Sequence, residues 1–264
     1  MDMMAAVEDP IARAASIVGR GGCVALTGAG VSVASGIPDF RSKGGLWDIF
    51  DPMEYATADA WESDPGKVWR LFRATGRMVL GARPNAAHES LARLEAGGWI
   101  SAVVTQNIDG LHQAAGSRSV VEFHGSAVDV FCDACGRTVE RREALGFLEG
   151  EGAPSCSACG GHVRPSVVLF GEPIPTGARR TAVSLAASCR SMLVVGTSAV
   201  VAPASLLPLE ARAHGAPLIE VNDERTDLTD GCSVVLRGRA EEILPSLVEG
   251  VEAGATGFSR SNNV

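Results

Sequence analysis

Apolar residues at Ile11, Ala14, Ala15 and Val18 recur at helical spacing and predict a helix from Pro10 to the glycine cluster Gly19, Gly21 and Gly22. Cys23-Val24-Ala25-Leu26 is apolar without alternation, the pattern of a strand buried on both faces of a parallel sheet. A helix, if one starts near Val31, would point its free N–H groups at an anion over the preceding loop. From Gly44 to about Pro84 the pattern breaks into short helical pieces around Trp61 and Trp69. An amphipathic helix follows, starting at Pro84-Asn85-Ala86-Ala87-His88, burying Leu91 and Leu94 and ending at Gly97-Gly98. Strands are predicted at Ile100–Val104 and Val120–Phe123. After a polar, cysteine-bearing stretch the α/β rhythm resumes, with a helix from Thr176 to about Cys189 and a strand at Met192–Val195. A helix after Pro203, strands at Pro217–Val221 and Ser233–Leu236, and a helix from Ala240 complete it. Strands alternating with helices in this way predict a doubly wound, Rossmann-like α/β fold with a parallel sheet. Residues 251–264 turn small and polar and read as a flexible tail.

Composition narrows the function classes. With 264 residues and 46% hydrophobic content the chain builds one large core, with room for a smaller insert. A formal net charge of −8 argues against a broad nucleic-acid-binding surface. Met1 to Pro10 is short, polar and acidic, unlike a secretory leader, so a cytoplasmic location is expected. The longest apolar region, Met192 to Leu209, is interrupted by Thr197, Ser198, Pro203 and Pro208, and no membrane span is expected. Seven cysteines in a reducing compartment point to metal before disulfides.

Candidate chemistry clusters just past the strand ends, where an open α/β sheet holds its ligands. Gly28-Ala29-Gly30 follows the first strand and suits a tight turn close to a ligand, although Val33 stands where a GxGxxG fingerprint needs its third glycine. Ser35-Gly36-Ile37-Pro38-Asp39-Phe40-Arg41 carries more specific chemistry than a turn requires and suggests a loop closing over a ligand. Gln106, Asn107, Ile108 and Asp109 follow the second strand, and His124 follows the third. Gly196-Thr197-Ser198 offers small residues and hydroxyls to a phosphate, and Asn222 can bond a ribose. Cys132-x-x-Cys135 and Cys156-x-x-Cys159, twenty residues apart, have the spacing of two knuckles on one tetrahedral zinc. Four thiolates leave no open coordination site, so such a zinc is structural. Arg164 to Pro173 reads as an exposed strand edge able to pair with an extended peptide, or as an ordinary core strand ending in a glycine turn.

Together these motifs resemble the sirtuins, the NAD-dependent protein deacylases, of bacterial type. The resemblance rests on Gly28 to Arg41, Thr105-Gln106-Asn107-Ile108-Asp109-Gly110-Leu111-His112, Glu122-Phe123-His124-Gly125, the two cysteine pairs, Val168-Leu169-Phe170-Gly171-Glu172 and Gly196-Thr197-Ser198, in that order. It implies a catalytic domain over residues 10–250: a Rossmann-like core, a helical module near 42–84 and a zinc module near 126–165. It implies NAD contacts at Gly28, Ala29, Gly30, Val33, Asp39, Phe40 and Arg41. Gln106, Ile108, Asp109, Gly196, Thr197, Ser198, Asn222 and Ala240 are implied to bind NAD as well. The catalytic set it implies is His124 as general base with Asn107 and Asp109, and it places Val168, Phe170, Gly171 and Glu172 against the acyl-lysine substrate. The implied reaction deacetylates lysine in proteins, consuming NAD and releasing nicotinamide and O-acetyl-ADP-ribose. Other acyl groups, ADP-ribosyl transfer and NAD hydrolysis are alternatives on the same fold. Relatives that prefer acidic acyl groups carry a Tyr-x-x-Arg pair; here Tyr55 is followed by Ala58, which favours neutral acyl groups, with Arg73 and Arg77 near enough to offer another arrangement.

Overall fold

The structure is a computed structural model describing residues 9–40 and 44–261. Its first helix, α1 (Pro10–Val18), is capped by the Asp9 carboxylate, which accepts from the Ile11 amide at 3.0 Å, and it buries Ala14, Ala15 and Val18. Strand β1 (Cys23–Thr27) is buried at all five positions. No α-helix follows at Val31. Two 3₁₀ turns, Ala29–Val31 and Val33–Ser35, stand there instead, closed by Gly36 at φ 85°. The left-handed glycine and the Ile37-Pro38 step leave no length for a full helix.

Four helices then form the helical module: α2 (Leu46–Ile49), α3 (Pro52–Tyr55), α4 (Ala58–Ser63) and α5 (Pro65–Gly81). Asp51, Thr57 and Asp64 cap the last three, which is why so short a stretch restarts a helix three times. Helix α6 (Ala86–Ala96) opens with Asn85 and His88 in a reciprocal capping box. Strand β2 (Ile100–Thr105), the one-turn α7 (Leu111–Ala114) and strand β3 (Val120–Glu122) return the chain to the sheet. Strands β4 (Val130–Cys132) and β5 (Val163–Pro165) pair antiparallel as a separate ribbon, with α8 (Arg141–Gly146) between them. The remaining elements are α9 (Thr176–Ser188), β6 (Ser191–Val195), α10 (Leu207–Ala213), β7 (Leu218–Asn222), β8 (Val234–Arg237) and α11 (Ala240–Ser261).

The main sheet has the order β3-β2-β1-β6-β7-β8 with every pair parallel. Its strand order reverses between β1 and β6, so the loops leaving those strands diverge and open a crevice at their carboxyl ends. One core packs α1, α6 and α11 on one face, and a second packs α9 and α10 on the other. A third core joins α4 and α5 to the ribbon through Trp61, Trp69, Phe72, Val130 and Val163. Polar ties reinforce it: Trp69 Nε1 donates to the Val163 carbonyl at 2.8 Å, and Arg73 donates to the carbonyls of Phe147 at 3.0 Å and Gly152 at 2.6 Å.

The expected tail is instead helix. Helix α11 continues through residues 251–261, and Val251 is 2% exposed. Leu244, Leu247, Val248 and Val251 keep a helical stripe against the core that also holds α1 and α6, and Glu252 pairs with Arg93 of α6. Burial of Val248 and Val251 outweighs the low helix propensity of Gly250 between them. Among the described residues no helix is long and apolar enough to cross a membrane.

Candidate active site

A cavity of about 740 Å³ lies over the carboxyl ends of β1, β6 and β7. The loop after β1 lines it with Gly28, Ala29, Gly30 and Val33, followed by Asp39 and Phe40. Gln106, Asn107 and Ile108 reach it from β2, and His124 from β3. Gly196, Thr197 and Ser198 enter from β6, Asn222 from β7, and Ala240 from the start of α11. Val168, Phe170, Gly171 and Glu172 form its opposite wall. Arg41 lies outside the described residues. Asp109 does not line this cavity; with Ser32, Ile37, Met78 and Val79 it lines a side pocket of about 40 Å³ that shares Asn107 and Ile108.

The glycines at the floor have a second task besides ligand approach. A Cβ on Gly30 would lie 2.8 Å from the Gly196 Cα, and one on Gly28 would lie 2.7 Å from the Thr197 Cβ. The loops after β1 and β6 therefore interlock, with the Gly30 amide donating to the Gly196 carbonyl at 2.9 Å. Gly196 is at φ 57° and a Cβ there would meet the Val31 nitrogen at 2.6 Å. Gly196→Ala is expected to cost about 2–4 kcal/mol, through strain and overpacking together, and to weaken dinucleotide binding. Urea unfolding and a cofactor titration check both effects. Thr197 secures the junction from the other side, its Oγ1 accepting from Gln106 Nε2 at 3.0 Å and from the Ala199 amide at 3.2 Å.

Beneath the floor runs a buried polar network. Ser32 Oγ donates to Asp109 Oδ2 at 2.7 Å and accepts from Asn107 Nδ2 at 3.0 Å, which fixes the Asn107 amide. His88 Nδ1 accepts from the Asn85 amide at 3.3 Å, so its Nε2 carries the proton facing Ser32 Oγ at 3.4 Å. Beside it, Thr27 Oγ1 donates to Thr105 Oγ1 at 2.9 Å, so His112 Nε2 is the donor in its 2.9 Å contact with Thr27. Thr105 Oγ1 in turn accepts from the Asn107 amide at 3.0 Å. The sequence reading missed Ser32. A hydroxyl between Val31 and Val33 is a weak signal when its partners are far away in the chain.

His112 is expected to set an acid limit on stability. Burial first, then neighbouring His88, pushes it down to about 3, because a proton on Nδ1 would find no acceptor among the described residues. An unfolded chain titrates near the ordinary 6.5, so below that pH it takes up a proton the folded chain refuses. Stability from this group is complete above pH 6.5 and falls by about 1.4 kcal/mol per pH unit towards pH 3. Urea midpoints of wild type and His112→Gln across that range should diverge in slope by this amount.

His124 is arranged as a base. Its Nδ1 lies 3.1 Å from the Gln106 carbonyl, which only accepts, so Nδ1 carries the proton and Nε2 keeps its lone pair. Burial lowers its pKa against the opposing pull of that carbonyl, keeping the imidazole neutral at pH 7. The His124 carbonyl accepts from the Val168 amide at 2.9 Å, tying the histidine to the opposite wall. A Cβ on Gly125 would fall 1.9 Å from the Ser166 oxygen, so only glycine lets that wall pack here.

Residues 166–172 are not the exposed strand edge expected from sequence. Only 163–165 is a strand, and the amides of Val168 and Phe170 already donate to the carbonyls of His124 and Ala56. The segment is wedged between the sheet and the helical module, with Phe170 and Trp47 rings 6.2 Å apart and Phe40 5.1 Å beyond.

The sulfurs of Cys132, Cys135, Cys156 and Cys159 lie within 4.8 Å of one another, with Cys132–Cys159 at 3.5 Å and Cys135–Cys156 at 4.0 Å. A tetrahedral zinc with Zn–S near 2.3 Å separates its sulfurs by about 3.8 Å, so the set fits that ion. The Ala158 amide and then the Arg137 guanidinium pull Cys156 down to about 6, favouring the thiolate a metal needs. The Gly161 amide also favours a thiolate at Cys159, but the neighbouring cysteines outweigh it and push this thiol up to about 12.

The sequence pattern of the Sir2 family matches residues 28–203. The chain belongs to the Sir2 family. It is 47% identical over 230 residues to NAD-dependent protein deacylase 2 of Pyrobaculum aerophilum, covering 87% of this chain and 91% of that protein. It is 44% identical over 242 residues to NAD-dependent protein deacetylase 1 of the same archaeon, covering 91% and 94%. A solved Sir2 homologue in complex with NAD is 40% identical, with a TM-score of 0.85 over 92% of this chain and 94% of that one. These named relatives of the Sir2 chain are archaeal. Its six-stranded parallel sheet and four-cysteine cluster are the Rossmann-like core and zinc ribbon expected of the family.

Proposed function

We propose that the protein is an NAD-dependent protein-lysine deacetylase. The observation that carries this reading is His124, neutral and with Nε2 unprotonated, on a 740 Å³ cavity shared by the interlocked glycine loops and Asn107. The glycine loops would receive the pyrophosphate, and Asn222 with the start of α11 would hold the adenosine end. When bound, NAD supplies the ribose carbon and hydroxyl that take the acyl group from lysine; with one water consumed, free lysine, nicotinamide and O-acetyl-ADP-ribose result. His124 accepts the proton of that hydroxyl at Nε2 and passes it on as the lysine amine leaves. Asn107 faces the cavity and orients the nicotinamide ribose, with Asp109 holding it from behind through Ser32. The four cysteines would hold zinc at a distance from this chemistry, with a purely structural role.

The acyl preference follows from where two arginines go. Arg73 is occupied by the carbonyls of Phe147 and Gly152, and Arg77 donates to the Leu148 carbonyl at 2.5 Å. Leu46, Ala56, Leu71, Phe72 and Thr75 line that end of the cavity without charge, which suits a neutral acyl group such as acetyl. Mass spectrometry of acetyl-lysine and succinyl-lysine peptides, with and without NAD, tests the proposal. Deacetylation that requires NAD and yields O-acetyl-ADP-ribose, with succinyl-lysine processed far more slowly, is expected. Nicotinamide release without deacetylation would replace it with an NAD glycohydrolase or ADP-ribosyltransferase.

A further inference from the structure

Glu172 lines the substrate wall, yet its carboxylate is engaged inside the protein. Arg164 grips it with two nitrogens, Nη2 to Oε1 at 2.7 Å and Nη1 to Oε2 at 3.2 Å. The same Oε2 accepts from the Leu169 amide at 2.9 Å. Arg164 precedes the wall in β5 and does not line the cavity; Glu172 ends the wall, and Leu169 lies within it. The ion pair thus cinches residues 165–171 into a closed loop with its middle pinned.

The guanidinium is itself held in place. Its side chain is 10% exposed, Nε donates to Asp133 Oδ1 at 3.2 Å, and the plane lies over the rings of Trp61 at 5.4 Å and Phe131 at 5.5 Å. Asp133 sits between Cys132 and Cys135 and also accepts from Trp61 Nε1 at 3.0 Å. Bidentate pairing of this kind fixes geometry as well as charge, and a buried Arg without its carboxylate is costly.

We propose that Arg164 and Glu172 form a positioning pair that shapes the 166–172 wall for the acyl-lysine peptide, anchored through Asp133 to the cysteine knuckle. The pair recognises peptide indirectly, through the backbone it holds, and has no part in NAD binding. This inference rests on the deacetylase reading above.

Steady-state kinetics with an acetyl-lysine peptide and NAD test it in Arg164→Gln, Glu172→Gln and the double variant, which leaves neither member of the pair as a lone buried charge, while Asp133, 40% exposed, keeps solvent and Trp61 Nε1. Each single variant is expected to raise the peptide KM about tenfold, the scale of one lost charge-assisted hydrogen bond, with the NAD KM within about twofold. The double variant should be no worse than either single one, since both remove the same tie. Loss of folded protein alone would lower kcat and leave both KM values unchanged. An unchanged peptide KM in Arg164→Gln, or additive losses in the double variant, would overturn the pairing and leave Glu172 as a direct substrate contact. Hydrogen exchange of the Leu169 amide gives a readout independent of turnover. It should accelerate at least about tenfold in all three variants; unchanged protection overturns the proposal even where wild type shows no deacetylation, the separate result that would sink the reading itself.

Discussion

His124→Ala is expected to lower kcat by about 10²–10⁴-fold, the usual contribution of a positioned general base, while the NAD KM changes little. The side chain is a packing element only in part: its ring meets Phe123 edge-on with centroids 5.5 Å apart, and its Nδ1 bonds the Gln106 carbonyl. The fold should survive the truncation, and thermal unfolding beside the kinetics separates lost chemistry from lost protein. A pH profile adds a second check. Burial lowers the His124 pKa, so the base is already free at pH 6.5, and the acid limb of the wild-type kcat/KM profile should fall below the ordinary histidine range. A limb centred above 6.5 would mean that the group being titrated is not this imidazole.

Cys156→Ser should remove one zinc per chain, measured by atomic emission, and lower the melting temperature by at least about 10 °C. The ribbon of β4 and β5 has two strands of three residues each, too little to stand alone. Structural zinc contributes on the order of 10–16 kcal/mol of binding free energy to such small modules. Cys132 and Cys156 also belong to the core that joins the ribbon to Trp61, Trp69 and Phe72, so releasing the metal loosens the helical module. Phe72 and Leu71 line the cavity, which makes loss of activity the expected secondary effect. Retained stability with no bound metal would show that packing alone holds the module.

What the sequence made legible was whatever is local in the chain. Apolar runs such as Cys23–Leu26 and Met192–Val195 mark buried strands because both faces of a parallel sheet are covered. Paired cysteines are legible because each knuckle is four residues long. Polar residues just after strands, Gln106, Asn107 and His124 among them, converge on one cavity because a parallel sheet sends all its carboxyl ends the same way. Long-range partners were not legible. Ser32 finds Asp109 and Asn107 across more than seventy residues, and no spacing rule connects them. Gly196 reads from sequence as a phosphate contact, and that its lack of a Cβ is also demanded by Val31 and Gly30 was not legible. The end of α11 was misread because its glycines and polar residues hid a stripe that only α1 and α6 make useful.

The position of β1 has a consequence for synthesis. This strand lies at the centre of the sheet, paired on one side with β2 and on the other with β6, where Cys23 faces Ser191. Ribosomes extend chains at about 5–20 residues per second, so β1 waits roughly ten to thirty seconds for that second partner. Throughout that interval one side of a strand apolar from Cys23 to Leu26 is uncovered, while the residues of the helical and zinc modules are made before β6 emerges. A nascent chain of this protein therefore carries one unpaired side of its central strand for most of its time on the ribosome. That side of β1 gains its partner only once residue 195 has cleared the exit tunnel.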